Sequence, residues 1–265
     1  MCRLLAYLGP PVRLDRLIIE PEHSLVVQSY KPREMSAGHV NADGFGFGWY
    51  DRARRAEPFV YRNVLPIWND DNLADLGAFV EADCVLANVR SATPGQLLAA
   101  ANTQPFVSGR LSVLHNGFVT DFKATLLRPI RKALDEESYA AISGTTDSEH
   151  LFAWLLQHLR GASDLRDGLA AGLATGLASL MAMAPGAEMT LNFIVSDGET
   201  LAASRLAHNC ATPSLYTLTD HAQFPDGVLI ASEPLFDDPA WTPIPEGSLI
   251  SIDRKRTVTV AALAA

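Results

Sequence analysis

The sequence predicts an α+β layered sandwich, two β-sheets with helices on their outer faces, on three observations. Short apolar stretches bounded by Gly, Pro, Asp or Asn fall into two series, as strands closed by turns do. Segments of helical periodicity separate the two series, so the order along the chain is strands, helices, strands. The 265 residues are 48% hydrophobic, enough for a large core, and no Ser/Gly linker, charge run or low-complexity block divides them. One domain spanning residues 1–265 is therefore expected.

The first series places strands at residues 3–8, 25–29, 46–50, 59–62, 84–90 and 111–115. The second places them at 190–195, 201–205, 215–218, 228–232, 249–252 and 257–260. Helices are predicted over 72–82, more loosely over 121–137, and over 148–159 and 165–183. The third of these sets Leu151, Trp154, Leu155, His158 and Leu159 at intervals of three and four, one amphipathic face. The fourth is rich in Ala, Leu and Gly and suits close packing against a sheet.

A formal net charge of −9 argues against nucleic acid and anionic membrane surfaces as partners. Three cysteines, Cys2, Cys84 and Cys210, form no framework, and neither a CxxC nor an HExxH pattern occurs, so a metal site has no support. The apolar run from Leu4 to Leu8 ends at Gly9-Pro10-Pro11 and is too short for a signal peptide or a membrane span. A reducing, cytoplasmic setting is expected.

Chemistry concentrates at the amino terminus. Initiator methionine is trimmed when a small residue follows, so the mature chain is expected to begin at Cys2. Such a residue carries a nucleophilic thiol and, on the adjacent carbon, an amine titrating near ~7.7–8.0. Nucleophile and base then share one residue. A packed thiol or an acylation site is the structural alternative.

Three later segments offer partners. The apolar strand at 84–89 delivers Arg90, followed by Ser91-Ala92-Thr93-Pro94-Gly95. That arginine either simply reaches water or forks onto a substrate carboxylate, a bidentate task suited to a guanidinium. Next, a strand ends in His115-Asn116-Gly117. Asn-Gly is a common turn dipeptide, yet the Asn116 amide and the Gly117 N–H can also form an oxyanion hole. Finally, Thr146-Asp147-Ser148-Glu149 opens a helix as a capping box, and Asp147 can serve the helix dipole, a substrate ammonium, or both. The alternating glycines of 44–48 precede no helix and suit close backbone approach better than phosphate binding.

Taken in order, the terminal Cys2, strand-Arg90-x-Ala92-Thr93, strand-His115-Asn116-Gly117 and Thr146-Asp147-Ser148-Glu149 resemble the class II glutamine amidotransferases, which are N-terminal-nucleophile hydrolases. The likeness spans Cys2 to about Leu159. Segments 25–35, Asn41-Ala42-Asp43-Gly44-Phe45-Gly46 and Ala231-Ser232-Glu233-Pro234 look like the stand-alone amidohydrolase of ergothioneine biosynthesis.

The resemblance implies a four-layer αββα sandwich. It also implies Cys2 as nucleophile, Asn116 and Gly117 at the oxyanion, and Arg90, Thr93 and Asp147 on the glutamyl end of a small γ-glutamyl substrate. The implied reaction is hydrolysis of a γ-glutamyl amide through a thioester, with no cofactor. In that pathway the substrate is a γ-glutamyl cysteine sulfoxide joined to trimethylated histidine, whose quaternary ammonium suits aromatic faces. Trp49, Trp68, Tyr30 and Phe45 are candidates for it by residue type, with core packing the competing fate. Glutaminase domains of the large amidotransferases carry Trp after the arginine and His after Ala-Thr, where this chain has Ser91 and Pro94. Smaller groups there leave room for a more open site, so free glutamine is not assumed to be the preferred substrate. No synthase domain is expected within these 265 residues. The alternatives are a glutaminase subunit feeding a separate synthase and an inactive binding scaffold, and homo-oligomerisation is left open.

Overall fold

The computed structural model describes residues 1–35, 38–93, 95–160 and 168–263. The chain begins with β1 (Arg3–Arg13), α1 (Asp15–Ile18), α2 (Leu25–Tyr30), β2 (Phe45–Trp49), β3 (Phe59–Asn63), α3 (Leu73–Phe79) and β4 (Glu81–Val89). Then come β5 (Phe106–Ser108) and β6 (Leu111–Val119), followed by a helical run. That run comprises α4 (Phe122–Thr125), α5 (Leu127–Ala133), α6 (Glu136–Ala140), α7 (Asp147–Arg160) and α8 (Gly168–Met183). The second half adds β7 (Met189–Ser196), β8 (Leu201–Arg205), β9 (Ala207–His208), β10 (Tyr216–His221) and β11 (Phe224–Ala231), then β12 (Thr242–Pro243), β13 (Ser248–Ile252) and β14 (Val258–Ala262).

Among the described residues the strands form two seven-stranded antiparallel sheets. One runs β12-β10-β11-β1-β4-β2-β3. The other runs β14-β13-β8-β7-β6-β5, with β9 paired to β7. Side chains alternate across each strand, so each sheet has an inner and an outer face. Leu4, Ala6 and Leu8 of β1 and Cys84 and Leu86 of β4 meet Leu114 and Ile194 of the opposite sheet between the two layers. Leu5 and Tyr7 point the other way, into a cluster with Leu17, Leu25 and Leu73 beneath α1, α2 and α3. On the far side, Leu151, Leu155, Leu173 and Leu177 of α7 and α8 cover Val113, Leu191 and Phe193. The result is the four-layer αββα sandwich.

Four local expectations change. Residues 25–29 form helix α2 instead of a strand: Ser24 accepts from Val27 N at 3.3 Å as N-cap, and Leu25, Gln28 and Ser29 face inward at helical spacing. Two adjacent valines give a strand-like stretch that the cap and the packing override. The helix expected over 72–82 stops at Phe79, and the chain turns into β4 at Glu81. The loose pattern over 121–137 breaks into short helices, with Asp121 left-handed (φ 51°) at the start of α4. Asn116-Gly117 makes no turn; β6 continues through it to Val119. Helix α8 begins at Gly168, and the expected residues 165–167 lie outside the described set. It packs against α7 as well as the sheet, with Trp154 Nε1 donating to Gly176 O at 3.0 Å.

Gly46 shows why small residues occupy β2. A Cβ there would lie 2.1 Å from the Gln104 carbonyl oxygen, so close backbone approach is the reason for that glycine.

Candidate active site

The start of β1 is clamped on both faces. Leu4 N donates to Ser232 Oγ and Ser232 N donates to Leu4 O, each at 2.9 Å. The Arg3 side chain, fully buried on the outer face, donates from Nη1 to Glu233 Oε1 at 2.8 Å. Glu233 also bonds His23 Nε2 at 2.7 Å and accepts from Arg33 N at 2.8 Å and Glu34 N at 3.0 Å. Burial alone would raise the Glu233 carboxyl pKa, but His23, these backbone donors and Arg3 outweigh it and hold it below its ordinary value. Cys2 is therefore held by a strand fixed immediately downstream. Its own side chain packs against the inter-sheet core.

A cavity of about 1070 Å³ opens where the start of β1, the ends of β4 and β6 and the start of α7 meet, and Cys2, Thr93, Gly117 and Asp147 line it. Cys2 Sγ lies 3.9 Å from the Ser91 carbonyl oxygen. Arg90 sits just behind this wall, 3% exposed, donating to Asp43 O at 3.3 Å and Gln96 Oε1 at 3.1 Å. Burial lowers its pKa, while the charges of Cys2, Asp43 and Asp147 oppose the shift, so these three groups lie within electrostatic reach of Arg90.

Asp147 sits at the first position of α7 with 8% exposure. Its carboxylate accepts from Val119 N at 3.1 Å and Ser148 N at 2.9 Å, which ties α7 to the end of β6. The expected capping box forms by half. Thr146 Oγ1 accepts from Glu149 N at 3.2 Å, but Glu149 reaches Ser143 N and Gly144 N, each at 2.7 Å. Asp147 thus serves the fold and still presents a surface to the cavity.

Asn116 is fully buried, and neither end of its amide has a hydrogen-bond partner among the described residues. It lies two residues beyond Leu114 on β6 and so shares its inter-sheet face, the layer that Cys2 also packs against. Gly117 faces the outer side and is packed to contact: a Cβ there would stand 1.8 Å from Thr190 O and 2.3 Å from His115 Nε2. Gly117→Ala is expected to destabilise the protein by roughly 2–3 kcal/mol, lowering the melting temperature by roughly 5–10 °C. An unchanged melting curve would contradict this packing.

His115 stacks on Phe193 with ring centroids 4.2 Å apart, and its Nε2 lies 3.0 Å from the Thr190 carbonyl, which can only accept. Nε2 therefore carries the proton, and Nδ1 accepts from Ser148 Oγ at 2.9 Å. Burial lowers the imidazole pKa, against the pull of Asp147. A neutral His115 thus locks β6, β7 and α7 together behind the Asn116-Gly117 segment.

The four aromatic candidates and the two other cysteines lie outside the cavity lining. Phe45 is a buried core residue, Trp49 packs half-buried against the same core, and Tyr30 and Trp68 are exposed with rings in edge contact. None of the four lines the cavity; Phe118 and Phe122 do. Cys84 is buried, with its thiol pKa pushed up to about 12 by burial, whereas Cys210 is only partly buried. Asp43 and Gln96, which hold Arg90, were not singled out from the sequence. Asp43 was visible as the acidic residue before the glycine run, and its Oδ2 accepts from Ala92 N at 2.8 Å. Gln96 carried no signal.

The chain is similar to known proteins in both sequence and fold. A family profile for class-II glutamine amidotransferases matches residues 1–224. The γ-glutamyl-hercynylcysteine sulfoxide hydrolase of Mycolicibacterium smegmatis is 32% identical over 255 residues, covering 95% of this chain and 96% of that protein. A glutamine aminotransferase class-II domain protein from Silicibacter pomeroyi superposes with a TM-score of 0.71 at 28% identity over the whole of both chains. The glutamine phosphoribosylpyrophosphate amidotransferase of B. subtilis shares the fold, with a TM-score of 0.64 at 15% identity, over 99% of this chain and 49% of that one. Among the described residues no helix is long and apolar enough to cross a membrane.

Proposed function

The chain belongs to the class II glutamine amidotransferase family and is an amidohydrolase, and on that premise we propose that it cleaves a γ-glutamyl amide with Cys2 as N-terminal nucleophile. The observation that carries the proposal is the meeting of Cys2, Thr93, Gly117 and Asp147 on one cavity with Arg90 at its back. The proposed substrate is γ-glutamyl-hercynylcysteine sulfoxide, supported by the name of the relative that matches along nearly its full length.

In this reaction the Cys2 thiol attacks the γ-carbonyl and its own α-amine takes the thiol proton. The oxyanion rests on Asn116 Nδ2 and the Gly117 N–H, each donor contributing roughly 2.7–4 kcal/mol. The amine of the leaving group departs with a proton, and water then releases glutamate from the thioester. Arg90 and Asp147 grip the carboxylate and ammonium of the glutamyl group, with Thr93 at the rim, so the carbonyl arrives oriented. Met1 lines the cavity beside Cys2, so its removal both frees the amine and widens the site. A cytoplasmic enzyme acting alone fits this scheme.

Arg90→Lys keeps the charge but loses the fork that spans Asp43 O and Gln96 Oε1. A rise in KM of about 10- to 100-fold is expected, with a smaller fall in kcat, from steady-state kinetics. An unchanged KM would remove Arg90 from substrate binding.

The test of function is competitive. Purified protein beginning at Cys2 is expected to release glutamate from a γ-glutamyl cysteine sulfoxide conjugate and only slowly from glutamine. Glutamine hydrolysis that equals or exceeds it would instead favour an ammonia-supplying glutaminase subunit.

A further inference from the structure

We propose that Asn88 is a positioning residue for this reaction: its side-chain amide holds the free α-amine of Cys2 so that the amine's lone pair faces the thiol. The inference rests on Cys2 acting as an N-terminal nucleophile. Three observations point to it.

The first is the face. Asn88 pairs directly with Leu4 across β1 and β4, and directly opposed residues share a face. Leu4, with Cys84 and Leu86 of β4, belongs to the inter-sheet cluster that Cys2 packs against. Asn88 therefore projects into the same layer as the nucleophile, one strand over. Continuing the antiparallel register sets Cys2 opposite Arg90, next to Asn88 along β4 on that face.

The second is the amide itself. Asn88 is fully buried, and neither its Oδ1 nor its Nδ2 has a hydrogen-bond partner among the described residues. Folded cores rarely keep such a group without a use. The contrast within the same layer is direct. Asn192 is equally buried, yet it donates to Pro213 O at 3.2 Å and Ser214 O at 3.3 Å and accepts from Leu206 N at 3.1 Å.

The third is the division of labour. Of the fully buried asparagines, Asn88 and Asn116 are unpartnered at both ends, and they come from opposite sheets. Asn116 stands next to Gly117 on the oxyanion side. Asn88 stands on the nucleophile's own sheet, beside the strand that ends in the amine. The single N–H of the Cys2 peptide nitrogen is fixed by the plane of the Met1–Cys2 bond and does not donate to Asn88, whereas removing Met1 frees an amine that can swing with the chain end and turn its hydrogens about N–Cα. Asn88 Oδ1 accepts one of them, which fixes the rotation about the N–Cα bond and aims the lone pair.

The charged groups within reach of the chain terminus and Arg90 are Arg3 on β1, Arg90 after β4, Asp43 before β2 and Asp147 on α7. All of them remain in place when only Asn88 is changed, so a shift in the pH profile reports on Asn88.

The experiment uses the full chain beginning at Cys2, verified by mass, with γ-glutamyl-p-nitroanilide as substrate. Asn88→Leu is close to isosteric and removes both polar atoms. It is expected to lower kcat about 10- to 100-fold, keep KM within about threefold, and leave the melting temperature unchanged or higher. Asn88→Asp keeps an acceptor but adds a negative charge that favours the ammonium form. The acid limb of its kcat/KM profile is therefore expected to move to higher pH. Alkylation of Cys2 by iodoacetamide across the same pH range gives a readout that needs no turnover, and it decides the matter if the leucine variant does not fold. Wild-type kcat and wild-type profiles in the variants, or a loss confined to KM, would overturn the proposal. Failure of the nucleophile assignment is distinct: Cys2→Ala would then stay active whatever Asn88 does.

Discussion

Replacing Cys2 with alanine is expected to lower kcat by about 10⁴-fold or more while leaving the melting temperature within roughly 2 °C. The physical basis is that the substitution removes one sulfur from a partly buried position and nothing from the fold. The clamp on β1 uses Leu4 backbone and the Arg3 side chain, and both remain. A variant that retains Met1 is expected to be almost as inert, although its thiol is intact, because the Cys2 nitrogen is then an amide with no basic lone pair. Comparing the two forms separates thiol from amine. Residual turnover above about 1% in either would mean that another group acts as nucleophile or base.

Glu233→Ala is expected to have the largest effect on stability, about 3–5 kcal/mol, with a fall in melting temperature of roughly 10 °C or more. The carboxylate is fully buried and joins four partners: Arg3, His23 and the backbone N–H groups of Arg33 and Glu34. Truncation leaves the fully buried guanidinium of Arg3 uncompensated. It also releases the Arg33–Glu34 segment from the strand that follows Cys2, so activity is expected to fall as well. The pH dependence follows from the lowered carboxyl pKa. Stability from this group is fully present above the unfolded value of about 4.3 and is lost as pH falls through the lower native value. Denaturant titrations are therefore expected to show no contribution from Glu233 to pH dependence between about pH 5 and 8. A loss below about pH 4 is expected, absent in Glu233→Gln. An alanine variant as stable as the parent would contradict the clamp.

The legibility of this protein in its sequence is uneven for physical reasons. Alternating and continuous apolar runs mark β1, β4, β6, β7 and β8, because each strand carries its own burial pattern. The segment at Leu25 reads as a strand because its helix depends on Ser24 and on contacts of Gln28 with His23 O and Glu233 O, remote from any local pattern. Asn116-Gly117 looked like a turn, yet the close approach of Thr190 and His115 is what demands the glycine there. Cys2, Gly117, Thr93 and Asp147, which line one cavity, stand out in the sequence because their residue types carry chemistry and their order is distinctive. Asn88 reads in the sequence as one polar residue in an apolar run. Its isolation became visible only once its face and its missing partners were known. Gln96 became visible only through its bond to Arg90.

The central claim is that the amino-terminal cysteine forms a covalent glutamyl intermediate, and intact-mass spectrometry of the protein quenched during turnover of γ-glutamyl-p-nitroanilide tests it most directly. The expected result is the mass of one glutamyl group on the chain that starts at Cys2. The label should map to the first peptide and be absent from Cys2→Ala. Turnover without any adduct after rapid acid quench, or a glutamyl group carried by another residue, would contradict it.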